Sequence, residues 1–490
     1  MPLAIINRIS QVPPIQRQSM IQLCTTITCA VFGFASTMLF SHVLGKDLIG
    51  VYYLFLAYCS IFNLIGDAGF GGAAVKRISE GKDQNEYFTA YVVLRFSLIV
   101  AATLILLVIN PYFTDLRDYE LVPWIIIALI AAFLGGIVTI GVYSLGHVGI
   151  NNLSAGIGEF ARILIQIVVV LLGYSVAGLF GGFIIAIIIS GLIGLKYFTF
   201  KPARFTAYHL KSLITYSLWV FLIGSGSLIF SCVDTICIGY FMTNGDVGIY
   251  RVAFQLTTAG TFTTAAIART LTPKFSSWSA KGSLTQIPGI LTRSITYGLL
   301  LAVPTAVGGI LLSERLLYFF YGAVFAAGGG ACSILLLLQV VSVFMIFLGT
   351  TLSAIGYARQ SFYACGPAAV LNTVLNVLLI PVIGIEGAAA ASLVSLSLST
   401  VLLWYSLKNY VPVRCDLRAA ANIVFSALLM AVFLLIYRQF VPLTSVFPVL
   451  AAVVAGAMIY FAVLFKLDKG IHKEVAVLAK QFGFPWPEWL

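Results

Sequence analysis

SLITYSLWVFLIGSGSLIFSCVDTICIGYFMTNGDVGIYRVAFQLTTAGTFTTAAIARTLTPK, residues 212–274, reads as two long apolar helices joined by one short polar turn. Each run matches the roughly 20 residues needed to cross a ~30 Å hydrocarbon core. TNGDVGIY (243–250) carries the glycines and small polar groups on which a chain reverses at a membrane edge. Inside the runs stand Asp234, Arg251 and Arg269. A charge in hydrocarbon costs a few kcal/mol even on the mildest scale, so three in one hairpin point to a water-filled path rather than a lipid-facing wall.

The rest of the chain extends this reading. Hydrophobic residues make up 60% and charged residues 9% of 490, with a mean hydropathy of +1.04. Such a composition is that of an all-α polytopic membrane protein and excludes a soluble globular domain. The net charge of +11 sits mainly in short loops, where basic residues set orientation, so nucleic acid is not an expected partner. Seven of the eight cysteines lie within or beside apolar runs and none forms a CxxC pair, which makes them small packing residues. The four histidines are scattered without ligand spacing, so no metal and no cofactor is expected. Residues 1–18, with Arg8, Arg17 and two prolines, read as an interfacial lead-in rather than a cleaved signal.

Apolar runs mark about fourteen spans, near 19–44, 48–75, 87–110, 121–145, 153–173, 175–195, 212–241, 247–272, 288–312, 329–354, 361–383, 385–407, 418–437 and 443–465. With the N-terminus inside, only Lys46, Arg117, Arg315 and Arg438 fall outside, against nineteen basic loop residues within. That asymmetry places both termini in the cytoplasm. The outer loop DLRDYE (115–120) is acidic.

The two halves resemble each other. At a shift of 198 residues Gly50 and Tyr52 fall on Gly248 and Tyr250; at 206, Gly178 and Gly181 fall on Gly384 and Gly387. Two parallel six-helix repeats around a central cavity, followed by two extra spans, account for both offsets. The expected organisation is a lead-in at 1–18, an N-lobe at 19–200, a C-lobe at 201–410, two C-terminal helices at 411–468 and a tail at 469–490, whose Trp486 and Trp489 read as an interface anchor.

Three segments together carry a family resemblance: LGKDLIGVYYLFLAYCSIFNLIGDAGFGGAAVKRISEG (44–81), SCVDTICIGYFMTNGDVGIYRVAFQL (231–256) with Pro273 beyond it, and SAIGYARQSFYACGPAAVLNTVLNVLLIPVIGIEGAAAASLVS (353–395). In order and spacing this set resembles the polysaccharide (Wzx-type) transporters of the multidrug/oligosaccharidyl-lipid/polysaccharide (MOP) exporter superfamily. The resemblance implies a flippase that moves a lipid-linked oligosaccharide, a polyprenyl-phosphate or -diphosphate sugar, across the cytoplasmic membrane by alternating access. It implies membrane lipids and polysaccharide polymerase or assembly proteins as partners and no covalent chemistry; the sequence leaves the oligomeric state open, with a monomer expected. Two alternatives stand beside it: a multidrug/cation antiporter of the same superfamily, and a membrane glycosyltransferase or ligase. The first calls for a more acidic cavity, the second for a sizeable catalytic loop.

A lipid-linked diphosphate calls for arginines in a cavity, because their planar fork binds phosphate through two parallel hydrogen bonds. The intramembrane charges are Asp67, Arg95, Glu159, Arg162, Asp234, Arg251, Arg269 and Arg293. Counting along helices puts Asp67, Arg95, Glu159 and Arg162 roughly 9 to 14 Å from the cytoplasmic end, as one four-member cluster. Arg95, Arg162, Arg251 and Arg269 are candidate substrate ligands; Asp67, Glu159 and Asp234 are candidates for charge pairing or for H+ or Na+ coupling. For the cluster, mutual neutralisation within the helix packing is the competing reading. Asp234 and Arg251 are expected to pair in the outer half, and Arg269 is either a ligand or a snorkelling anchor. Asn372 and Asn376, at i,i+4, either meet sugar hydroxyls or bond a neighbouring helix.

Overall fold

A computed structural model describes residues 14–473, with side chains from Thr28 onward except for several in the middle of the seventh expected span. The lead-in up to residue 13 and the tail from 474, with Trp486 and Trp489, lie outside the described residues. All regular structure among the described residues is helical, as hydrocarbon demands of a chain whose backbone donors and acceptors find no water. Eleven helices among the described residues are long and apolar enough to span a membrane. The expected fourteen differ from this at two places. The first two spans are merged in one 54-residue helix, Pro14–Asp67, kinked at Gly45 with φ 77°. The seventh and eighth spans fall on Ala207–Phe241, whose described apolar part is short, and on a broken helix pair.

Contacts divide the chain into two compact units, Met1–Gly248 and Ile249–Leu490. The first contains α1 (Pro14–Asp67), α2 (Phe70–Ser79), α3 (Gln84–Ile109), α4 (Thr114–Asp118), α5 (Leu121–Ser144), α6 (Val148–Leu171), α7 (Val176–Leu195) and α8 (Ala207–Phe241). Helix α8, which repeat symmetry assigns to the C-lobe, packs here against α1, α2 and α3. A Cβ at Gly69 would lie 2.4 Å from the Ser217 carbonyl oxygen of α8, and Gly69 itself has φ 79°, so position 69 in the break between α1 and α2 admits only glycine. Phe88, Tyr91 and Ala73 anchor the core on this side.

The turn after α8 is shorter than its sequence indicates. TNGDVGIY is helical from Asn244, because Thr243 caps α9 (Asn244–Thr257): its hydroxyl donates to Asp246 Oδ2 at 2.6 Å and accepts from the Asp246 N–H at 3.3 Å. Its start meets α1 in a symmetric crossing. A Cβ at Gly50 would lie 1.7 Å from the Asn244 carbonyl oxygen, and one at Gly248 would lie 2.2 Å from that of Lys46. Lys46 and Gly50 fall on Asn244 and Gly248 at the 198-residue shift, so each repeat presents the same glycine and the same carbonyl to the other copy.

The second unit holds most of α9, then α10 (Phe262–Ala280), α11 (Ile287–Tyr321), α12 (Gly329–Ala354), α13 (Ala358–Ile383), α14 (Ile385–Leu407), α15 (Leu417–Phe440) and α16 (Val446–Leu467). The eighth expected span is not one helix: a 3₁₀ turn at Thr258–Thr261 separates α9 from α10. Gln339 of α12 holds the break, donating to Thr257 Oγ1 at 3.2 Å and accepting from Thr261 Oγ1 at 3.0 Å. Arg251 and Arg269 are therefore not the two ends of one straight rod. The two extra C-terminal helices close the core against α11, where Tyr460 donates to the Leu300 carbonyl at 2.9 Å and Arg438 to that of Leu311 at 2.9 Å.

Candidate functional site

The densest intramembrane chemistry lies in the first unit. Helix α3 begins at Gln84 and α6 at Val148, both earlier than the apolar runs indicate. Arg95, Glu159 and Arg162 thus lie roughly 16 to 21 Å from the start of their helices, a longer stretch than from the start of each apolar run. The four expected charges form two ion pairs rather than one closed cluster.

Arg95 is 5% exposed. Its guanidinium rests on the face of α5 at Gly136, where a Cβ would stand 2.3 Å from Nη1; glycine is what lets α3 and α5 hold an arginine between them. Nη1 donates to the Tyr91 hydroxyl, one turn back on α3, and Nη2 donates to the Ala132 carbonyl at 3.1 Å. Asp67, at the end of α1, lies 3.7 Å from Nη1 and accepts the Gly71 N–H at 3.3 Å. This pair ties α1, α3 and α5 together.

Arg162 and Glu159 share one face of α6 and bond in two places, Nε to Oε2 at 3.0 Å and Nη2 to Oε1. The third guanidinium edge reaches α1: Nη1 donates to the Tyr52 hydroxyl at 2.8 Å. Gln166, one turn on, donates to the same hydroxyl at 2.9 Å and to the Leu179 carbonyl of α7 at 2.7 Å. Tyr52 and Gln166 were not among the sequence candidates. Gln166 at i+4 from Arg162 was the available signal for it; Tyr52 stood out only as the repeat counterpart of Tyr250, and nothing linked it to Arg162, 110 residues away.

Both arginines open onto one pocket of about 440 Å³ lined by α1, α3, α5, α6 and α7. Asn63, Thr139, Ser190 and Glu159 add polar groups to its wall, and Phe183, Ile140 and Ile187 add apolar surface. Asn63 Oδ1 and Arg95 Nε are buried without a hydrogen-bond partner. Arg162 is the more accessible cation, with 21% of its side chain exposed against 6% for Arg95. The site therefore presents a fixed guanidinium and a second one held by an exchangeable carboxylate. That arrangement suits an anion with oxygen acceptors.

The remaining candidates are placed elsewhere. Asp234 is buried at 4% exposure on α8 of the first unit, and Arg251 belongs to α9 in the second, 5.4 Å from the centroid of the Phe254 ring. Arg269 is exposed on α10. Asn372 and Asn376 are fully buried between α13 and α14; Asn372 donates to Ser392 Oγ at 3.0 Å and Asn376 to Asn372 Oδ1 at 3.2 Å. The Asn372 amide thus reaches the neighbouring helix, and Asn376 bonds Asn372 along its own helix.

Known proteins share this organisation. The sequence model of a family described as polysaccharide biosynthesis protein matches residues 17–279. A probable low-salt glycan biosynthesis flippase of Haloferax volcanii, Agl15, is 26% identical over 437 residues, 87% of this chain and 90% of that protein. The probable flippase AglR of the same organism is 28% identical over 475 residues, 95% of this chain and 98% of that protein. Among solved structures, the lipid II flippase MurJ in an inward closed conformation superposes with a TM-score of 0.77 at 16% identity, over 92% of this chain and 99% of that chain. An inward-facing MATE-family multidrug resistance transporter of the MOP superfamily gives 0.59 at 15% identity, over 80% and 99%. At these identities the two structures speak to the fold.

Proposed function

Because the chain belongs to the polysaccharide biosynthesis protein family, as a Wzx-type transporter of the MOP superfamily, we propose that it is a flippase for a lipid-linked oligosaccharide. The cargo in this reading is a polyprenyl-phosphate or -diphosphate sugar, carried by alternating access across the cytoplasmic membrane for surface glycan export. The protein sits in the cell membrane with both termini in the cytoplasm. Two full-length relatives named as probable flippases support the reading. One observation carries it: Arg95 and Arg162, on different helices, line a single pocket with Asn63, Thr139 and Ser190 inside an apolar bundle.

In this mechanism Arg162 takes the phosphate and Glu159 is its ground-state partner. An incoming phosphate displaces the Glu159 oxygens from Nε and Nη2, and Tyr52 keeps the guanidinium in place through Nη1. Arg95, locked by Tyr91, Ala132 and Asp67, supplies fixed positive potential rather than a moving ligand. Release is the reverse exchange, with Glu159 reclaiming Arg162. Any coupling to H+ or Na+ enters through Glu159, the carboxylate that this exchange uncovers. A drug-cation antiporter has the opposite requirement, since two arginines and one glutamate line this pocket.

The test is reconstitution in liposomes with a fluorescent lipid-diphosphate sugar, reading its exposure on the opposite leaflet. Wild type flips it, and Arg162→Gln slows flipping by roughly 10- to 100-fold, the worth of one charge-assisted contact of ~1.5–3 kcal/mol. No flipping by wild type together with efflux of organic cations overturns the function. An unimpaired Arg162→Gln overturns the site alone.

A further inference from the structure

Helix α4, in the acidic connection between the third and fourth spans, holds a carboxylate that the transport site does not use. Asp115 is 7% exposed, and its Oδ2 has no hydrogen-bond partner among the described residues. Three elements enclose it. From α1, the Tyr58 hydroxyl is buried without a partner and lies within the electrostatic reach of Asp115, with Tyr58 2% exposed. From α8, Gly239 is so close that a Cβ there would lie 2.9 Å from Oδ2, and Cys237, coupled in turn to Asp234, adjoins Tyr58. Helix α5, which packs on α4, begins with the buried Leu121 and Val122, and its sole titratable side chain, Tyr143, is at its far end. On α4 itself Asp118 is the charged neighbour, with Arg117 3.5 Å from it, both exposed. Tyr112 and Glu120, at the flanks of α4, are exposed.

No cation faces the Asp115 carboxylate among these groups. An ionised carboxylate in such a site loses hydration and gains nothing for the uncovered oxygen, whereas a carboxylic acid carries no charge and offers a donor. We propose that Asp115, together with Tyr58, is a proton-binding site at the loop end of the first unit, occupied when α4 is closed onto α1 and α8. The site exchanges its proton with the aqueous face on which α4 lies, separately from the arginine pocket. Burial, and after it the like charge of Asp118, raise the Asp115 carboxyl from 3.8 to about 6, which sets proton release within a physiological range.

The sign follows from linkage. The folded protein holds the proton to higher pH than the unfolded chain does, so the site's contribution to stability is greatest at low pH. It is lost as pH rises from 3.8 to about 6, and is flat above. The experiment uses the full chain in detergent micelles and needs no glycan, so its failure is distinguishable from failure of the flippase reading. Infrared difference spectra and thermal midpoints are recorded across the acid-to-neutral range for wild type, Asp115→Asn and Asp118→Asn. A buried protonated carboxyl band titrating near 6 is expected in wild type and absent in Asp115→Asn, which also lacks the fall in midpoint. Asp118→Asn moves the titration to lower pH by removing the like charge. That shift and the wild-type titration decide the matter even if Asp115→Asn does not fold. A wild-type carboxyl band that is absent, or that titrates near 4, overturns the proposal. So does stabilisation by sodium over choline at alkaline pH, which identifies a metal cation as the ligand.

Discussion

Replacing Arg95 by methionine separates what this arginine does for the fold from what it does for cargo. Methionine keeps most of the buried stem and removes the guanidinium. Lost are the bonds to the Tyr91 hydroxyl and to the Ala132 carbonyl at 3.1 Å, and the ion pair to Asp67 at 3.7 Å. Stripping one partner from a buried pair costs about 3–5 kcal/mol, chiefly because the other charge is stranded. Asp67 is 27% exposed and retains the Gly71 N–H, so water relieves part of that penalty and the lower end, about 3 kcal/mol, is expected. Arg95→Met with Asp67→Asn removes the stranded charge, and the pair recovers roughly 1–2 kcal/mol relative to the sum of the single variants. The assay is reversible unfolding of the four proteins in mixed micelles, with flipping measured on the folded fraction. Arg95→Met within about 0.5 kcal/mol of wild type, or strict additivity of the two substitutions, refutes the structural role.

Four further outcomes are expected. Gly248→Ala and Gly50→Ala each force the crossing of α1 and α9 apart, because the added methyl would lie 2.2 Å and 1.7 Å from a carbonyl oxygen; each destabilises by about 1–3 kcal/mol. Gly289→Ala, with open space around it, is neutral or stabilising by up to ~1 kcal/mol in the same unfolding assay. Tyr52→Phe leaves Arg162 Nη1 and Gln166 Nε2 without their shared acceptor, costing about 1–3 kcal/mol; flipping by this variant falls because Arg162 is no longer steadied during exchange with Glu159. Gln339→Leu frees Thr257 and Thr261 at the break between α9 and α10, and hydrogen exchange at residues 257–261 accelerates while α12 remains protected, unless the break is held by backbone alone.

How much was legible in the sequence depends on the range of the interaction concerned. The glycine pair 50 and 248 was visible as an internal repeat, and the structure gives it a physical cause, two backbones in mutual contact. The i,i+3 pairing of Glu159 with Arg162 was visible because one helix turn decides it. The Asp67–Arg95 pair was anticipated only as a depth coincidence. Tyr52, which joins Arg162 to Gln166, was marked only by its repeat match to Tyr250, since an apolar helix full of aromatic residues does not show which hydroxyl meets a cation. Asp115 looked like an ordinary loop acid, and its burial under α1 and α8 follows from how α4 is folded back.

The all-helical class, the basic-loop asymmetry and the repeat were therefore determined by sequence alone, because each is set locally along the chain. Hydrocarbon thickness fixes how many consecutive apolar residues make a crossing, and unsatisfied backbone groups permit only helix there. Which charges meet, which helices break and which acid is buried were decided by tertiary structure. Those outcomes depend on the rotation of each helix about its axis and on kinks such as Gly45 and Thr258–Thr261. A rotation of one residue, about 100° on a helix of 3.6 residues per turn, is enough to carry an arginine from a pocket to lipid, and hydropathy is blind to it.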